Sequence, residues 1–209
     1  LRRELEVIQK RSVREVEKRN SDYFTVGLVG YTNAGKSTLF NTLTDGGAWA
    51  HDQLFATLST RVERWELGGG TNAMLSDTVG FIRRLPHHLV ASFRSTLEET
   101  IHCQLILIIL DASDPSALSQ LETVEETLIE IGAQHQPRLL VLNKIDLLGS
   151  PSDKLVWVSR YPDAIQISSV SGEGIETLAS EVHGVVIGDV REVVISLPSR
   201  ASKAVDFIE

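Results

Sequence analysis

GYTNAGKS, residues Gly30 to Ser37, decides how this chain folds. The apolar stretch Phe24 to Val29 runs into it as a strand, and Ser37-Thr38-Leu39-Phe40-Asn41-Thr42-Leu43 leaves it with the spacing of an amphipathic helix. Gly30 and Gly35 allow backbone angles and close approach that a Cβ would block. A strand turning tightly into a helix start aims successive N–H groups, and the positive end of the helix dipole, at one point. Such a point takes an anion. The octet fills every fixed position of G-x-x-x-x-G-K-[ST], so the anion expected is the polyphosphate of a nucleotide. Contacts are expected from Gly30, Tyr31, Thr32, Asn33, Ala34, Gly35, Lys36, Ser37 and Thr38, with Lys36 neutralising the β- and γ-phosphates and Ser37 ligating Mg²⁺.

Which base is bound is read far downstream. Asn143-Lys144-Ile145-Asp146 follows the apolar strand Arg138 to Leu142. A carboxylate at Asp146 can accept from the N1–H and the 2-amino group of guanine, whereas adenine would leave it unpaired, a loss of a few kcal/mol in order of magnitude. Asn143 is expected to tie this loop to the phosphate loop, and the Lys144 stem to lie on the purine. Ser168-Ser169-Val170, after the short strand Ala164 to Ile167, can offer N–H groups to the 6-oxo oxygen. Between the two loops, Asp77-Thr78-Val79-Gly80 ends the strand Ala73 to Ser76. Asp77 there can hold Mg²⁺ and its water shell, and Gly80 can donate to the γ-phosphate. Thr57 and Thr60 are both candidates to close over the metal.

Strands near 104–111, 138–142 and 164–168 alternate with helical spacing over Val90 to Ile101, Ala117 to Ile131 and Ile175 to Val186. Arg61 to Leu67, GGGTN (Gly68 to Asn72) and Ala73 to Ser76 read as a hairpin. The fold expected is α/β, a doubly wound and mostly parallel sheet with helices on both faces and one antiparallel edge strand. Ligand loops in such a sheet gather at the carboxyl ends of the strands. Residues 1–20 read as a charged linker helix, 21–184 as the nucleotide-binding domain, and 185–209 as a small strand–helix extension. Leu148 to Ser152 reads as a surface loop.

Two hundred and nine residues at 42% hydrophobic content suit one such domain with small appendages. The run Leu105 to Leu110 is too short to cross a bilayer, which takes roughly 20 residues, and reads as a central strand buried on both faces. One cysteine, Cys103, rules out an internal disulfide and fits a reducing compartment. The net charge is −8, yet residues 1–20 hold seven Lys/Arg against four Glu, so the rest is strongly acidic. Bulk attraction to RNA is therefore not expected. Contact with RNA would fall to local cations such as Arg61, Arg64, Arg83, Arg84 and Arg94.

The motifs GYTNAGKSTLFN, LFATL (Leu54 to Leu58), DTVGFIRRLP (Asp77 to Pro86), FRSTLEET (Phe93 to Thr100), DASDP (Asp111 to Pro115) and NKID together resemble translation-associated GTPases, most closely the HflX family. The resemblance covers about residues 1–180. It implies a GTPase that binds GTP and GDP and acts on the large ribosomal subunit, in splitting or recycling ribosomes; a monomer is expected, in the cytoplasm or, as the alternative, in an organelle. It also implies a further domain upstream, and it selects Thr57 as the switch threonine that reaches Mg²⁺.

Phe81 follows Gly80 where Ras-like enzymes place the Gln that orients the attacking water. A phenyl ring cannot hydrogen-bond water, so slow unassisted turnover is expected. Asn33 is a candidate holder of K⁺ against the phosphates, where the ion would replace a missing arginine charge. The alternative function is a nucleotide-gated binding module with negligible hydrolysis.

Overall fold

Six apolar residues in a row need burial on both sides, and the computed structural model places them at the centre of the sheet. It describes residues 23–44, 61–77 and 102–188. In chain order the elements are β1 (Phe24–Gly30), α1 (Lys36–Leu43), β2 (Arg61–Gly68), β3 (Thr71–Asp77), β4 (Leu105–Asp111), α2 (Ala117–Glu130), β5 (Arg138–Asn143), a 3₁₀ turn (Ile145–Leu147), α3 (Pro151–Arg160), β6 (Ile165–Gln166) and α4 (Ile175–Gly188). The described strands form one sheet in the order β2-β3-β1-β4-β5-β6. Only β2 runs antiparallel to its neighbour, β3, at the sheet edge. The expected fold class is the one observed.

The period of two in β4 divides the core. Leu105, Leu107 and Ile109 join Leu39 and Phe40 of α1 and Leu178 and Val182 of α4 on one face. Ile106, Ile108 and Leu110 join Leu121, Val124 and Leu128 of α2, with Trp157 of α3 packed alongside, on the other. Cys103 is buried on this second side, its Sγ 3.1 Å from where a Cβ on Gly27 would lie, which is a packing role. The β2–β3 hairpin turns through Gly68, Gly69 and Gly70, all at positive φ.

Two expectations need correction. Leu148 to Ser152 is not wholly a loop, because Pro151 and Ser152 open α3. Ser150 is its N-cap, Pro151 sits in the first turn, and Asp153 Oδ2 accepts from the Ser150 N–H at 3.0 Å, half of a capping box. At the other end, α4 runs on to Gly188, and Val185 and Val186, expected to open a separate extension, pack on the core. The helices read over Leu1 to Lys18, Val90 to Ile101 and Ala201 to Ile208, and the strand over Glu192 to Leu197, lie outside the described residues.

Candidate functional site

The carboxyl ends of four neighbouring strands, β3, β1, β4 and β5, lie level: Leu28 pairs with Asp77, Gly30 with Ile109, and Asp111 with Asn143. The loops that leave these ends make the site. Gly30 is required by close approach, since a Cβ there would meet the Ile109 carbonyl oxygen at 2.3 Å. Gly35 is required twice over. Its φ is 94°, and a Cβ would meet Asn143 Nδ2 at 2.3 Å. Gly35 then caps α1, its carbonyl accepting from Leu39 N–H at 2.9 Å. Asn33, exposed at the turn of the loop, is left-handed at φ 64°.

Lys36 is only 7% exposed. Its Nζ donates to the carbonyls of Gly30 (3.1 Å) and Tyr31 (2.8 Å), which fold the side chain back over its own loop. Burial lowers the ammonium to about 8, against the pull of Asp77, which favours the charge. Asp77, the last residue of β3, is fully buried, and its Oδ2 accepts from Ser37 Oγ at 2.8 Å. A hydroxyl and a carboxylate meeting beside a buried cation form a hard-oxygen pair of the type Mg²⁺ takes alongside phosphate oxygens, so the residues fit that ion. Thr38 follows in the first turn of α1.

Asn143 joins the phosphate loop to the base loops. Its Nδ2 donates to Ala34 O at 2.9 Å, and its Oδ1 accepts from Ser169 N (3.0 Å) and Ser169 Oγ (2.7 Å). The expected tie is present, with a second arm the sequence had not indicated. Thr42 of α1 adds a further link, its hydroxyl 2.9 Å from Ser169 O. Among Ser168, Ser169 and Val170, the Ser168 amide goes to Glu173 O and the Ser169 amide to Asn143. Val170, the third of them, is 82% exposed.

Lys144 turns the chain at φ 62°, and Asp146 sits exposed in the 3₁₀ turn that follows. Ile145, buried, donates from its N–H to Ile167 O at 3.2 Å and fixes that turn against the Ser168 loop. The structure thus brings together every candidate from Gly30 to Thr38 with Asp77, Asn143, Lys144, Asp146 and Ser168 to Val170. Thr57, Thr60, Thr78, Val79, Gly80 and Phe81 lie outside the described residues. Asp111, to which sequence reasoning gave no role, also reaches this site: its Oδ2 is 2.6 Å from Lys144 Nζ. No local pattern reveals a pair 33 residues apart.

A phosphate cradle braced to a remote Asn-Lys-x-Asp turn, on a sheet of this order, defines a P-loop G domain of the GTP-hydrolysing kind. A family described as 50S ribosome-binding GTPase matches residues 25–144. The chain belongs to that family and, within it, to the HflX GTPases. It is 45% identical over 187 residues to GTPase HflX of Magnetococcus marinus, covering 89% of this chain and 43% of that protein. Against GTPase HflX of Escherichia coli (strain K12) it is 40% identical over 201 residues, 95% of this chain and 47% of that protein. The chain thus spans less than half the length of these curated relatives. Among solved structures, a GTP-binding protein from Sulfolobus solfataricus in complex with GDP superposes with a TM-score of 0.64 at 27% identity, over 90% of this chain and 63% of that one. No helix among the described residues is long and apolar enough to cross a membrane.

Proposed function

We propose that this chain is the GTP-cycling part of a cytoplasmic protein that acts on the large ribosomal subunit, in splitting or recycling ribosomes, and that it turns over slowly until the subunit completes its site. The observation that carries the nucleotide chemistry is the cluster of buried Lys36 and Asp77 with half-buried Ser37, held in register with the base loops by Asn143. Lys36 would meet the β- and γ-phosphates, while Ser37 and Asp77 would hold Mg²⁺, which would supply positive charge against the phosphate oxygens. Thr57 would supply a further hydroxyl to the metal, and the Gly80 N–H would donate to the γ-phosphate. Asp146 reads the guanine edge, and the Val170 amide its 6-oxo oxygen. In the sequence Phe81 follows Gly80 at the position where Ras-like enzymes carry the Gln that orients water, which supports slow unassisted turnover.

The family description supports the ribosomal partner. Charge supports a local contact rather than a broad one. Of the two described cationic candidates, Arg61 lies 4.8 Å from the centre of the Phe40 ring and donates to Asn41, so it is already engaged. Arg64 is exposed and, among the described residues, pairs with Glu66 at 3.7 Å, a surface contact of small worth. Phosphate release by the isolated chain should run at about 10⁻⁴ to 10⁻² s⁻¹, the range of unassisted G domains, and rise at least tenfold with purified large subunits. A rate near 10 s⁻¹ for the chain alone would overturn the proposal. So would release that large subunits leave unchanged, and no release under either condition would favour the nucleotide-gated binding module.

The K⁺ reading of Asn33 can now be separated from its turn role, because its φ of 64° is one that glycine adopts freely. Turnover should be severalfold faster in K⁺ than in Na⁺. Asn33→Gly should keep the loop and erase that difference. Equal rates in the two salts for the unaltered chain would remove K⁺ from the mechanism.

A further inference from the structure

Asp111 ends β4 beside Asn143, and its carboxylate is held at both oxygens. Oδ1 accepts from Ser113 N (3.0 Å) and Ser113 Oγ (2.6 Å), and Oδ2 meets Lys144 Nζ at 2.6 Å. Side-chain exposure is 14% for Asp111 and 28% for Lys144, so the pair is largely shielded from water and far from the weak regime of surface ion pairs. The backbone around Asp111 is fixed as well. Ala112 N–H donates to Asn143 O at 2.9 Å, and Ala112 O accepts from Trp157 Nε1 of α3 at 3.1 Å. Asp111 is therefore a fixed point, and Lys144 is the residue that needs one.

The need arises from backbone conformation. Lys144 is left-handed, at φ 62° and ψ 35°, a state uncommon for a residue with a long side chain. It is this residue that swings the chain out of β5 and into the turn bearing Asp146. A lysine stem anchored at its tip runs along one path only, while an unanchored stem samples many rotamers. We propose that Asp111 is a positioning residue for guanine recognition: by holding the Lys144 ammonium it sets the stem that lies on the purine and the turn that presents Asp146. This deepens the guanine reading of that turn and rests on it.

The test is a set of variants in which GDP, IDP and ADP affinities are measured by calorimetry, with inorganic tripolyphosphate as a probe of the phosphate loop alone. IDP lacks the 2-amino group, so the GDP-to-IDP ratio reports how well Asp146 is aimed. Asp111→Asn keeps the shape and the Ser113 contacts but loses the charge pair. It should weaken GDP on the order of tenfold and lower the GDP-to-IDP ratio severalfold, with tripolyphosphate unchanged. Lys144→Met should do the same with Asp111 intact, which keeps the proposal testable if the first variant folds poorly. The double variant should add little to either single one. Ser113→Ala should leave the ratio as it was. Full additivity of Asp111→Asn and Lys144→Met would overturn the proposal, and so would a Ser113→Ala variant that reproduces the loss, since Asp111 would then be a loop-shaping residue only. If the unaltered chain binds ADP as well as GDP, the failure lies in the guanine reading rather than in the role of Asp111.

Discussion

Lys36→Met is expected to abolish nucleotide binding and, in the nucleotide-free chain, to raise stability. The two effects have one cause. An ammonium at 7% exposure, with burial lowering it from 10.5 to about 8, is a charge the fold holds unwillingly until phosphates arrive. At about 1.4 kcal/mol per unit, the gap corresponds to a penalty of about 3 kcal/mol in order of magnitude. Its pH dependence follows from the two protonation equilibria. Below pH 8 the lysine is charged in both the folded and the unfolded chain, and the penalty is complete. Between pH 8 and 10.5 the folded chain sheds the proton first, so the penalty fades. Methionine fills similar volume without charge, although the Gly30 and Tyr31 carbonyls lose their donor, which returns about 1 kcal/mol or more. The net gain should be about 1–2 kcal/mol at pH 7, a rise in Tm of about 2–8 °C for a chain of this size. It should shrink as the pH approaches 10.

Nucleotide binding responds in the opposite sense. Phosphates favour the charged lysine, so above pH 8 the chain must take up a proton to bind GDP. Affinity should be flat from pH 6.5 to 7.5 and then weaken, by up to about tenfold per pH unit above 8. Titration calorimetry at pH 8.5 in buffers of different ionisation enthalpy should register that uptake directly. A Lys36→Met variant with a lowered Tm, or GDP binding without proton uptake at pH 8.5, would show that burial does not strain this lysine.

Much of this site is legible in sequence because its physics is local. Two glycines, a lysine and a serine at fixed spacing between a strand and a helix leave the backbone few choices, and Gly35 and Lys36 stand as that spacing requires. The apolar run of β4 gave its central place for the same reason. What escaped was of two kinds. Helix α3 is hard to read in the sequence because Leu155, Val156 and Val158 are exposed, at 66%, 64% and 42%, and interrupt its polar side. The capping signal Ser150-Pro151-Ser152-Asp153 is made of residues that also favour turns, so its composition points both ways. The second kind is contact at long range. The Asp111–Lys144 pair, the Asn143–Ser169 bonds and the Thr42–Ser169 link join strands and loops that are neighbours only after the sheet forms. Their geometry depends on register, which no single motif contains.

Asp146→Asn should exchange one base for another rather than destroy the site. Little of the fold depends on this side chain. Asp146 is exposed, while its turn is held by the Ile145–Ile167 bond, by Leu147 N–H to Lys144 O at 3.0 Å and by Leu148 N–H to Ile145 O at 3.3 Å. The substitution therefore alters hydrogen-bonding character without moving the backbone. A carboxylate can only accept, and guanine presents two donors to it. An Asn side chain offers one acceptor and one donor, and xanthine presents one donor and, in place of the 2-amino group, a carbonyl. GDP bound to the variant would set its 2-amino group against the Asn Nδ2, two donors face to face. Xanthosine diphosphate bound to the unaltered chain would set a carbonyl against a carboxylate. Each mismatch leaves polar groups unpaired in the site and should lower affinity on the order of 10²- to 10³-fold, so the preference between the two nucleotides should invert. ADP should remain a poor ligand for both proteins. Competition against a fluorescent guanine nucleotide, and against its xanthine counterpart for the variant, measures all six affinities. An Asp146→Asn chain that still prefers GDP over xanthosine diphosphate would show that the base is read elsewhere, and the braced arrangement of Asn143, Lys144 and Asp111 would then need another purpose.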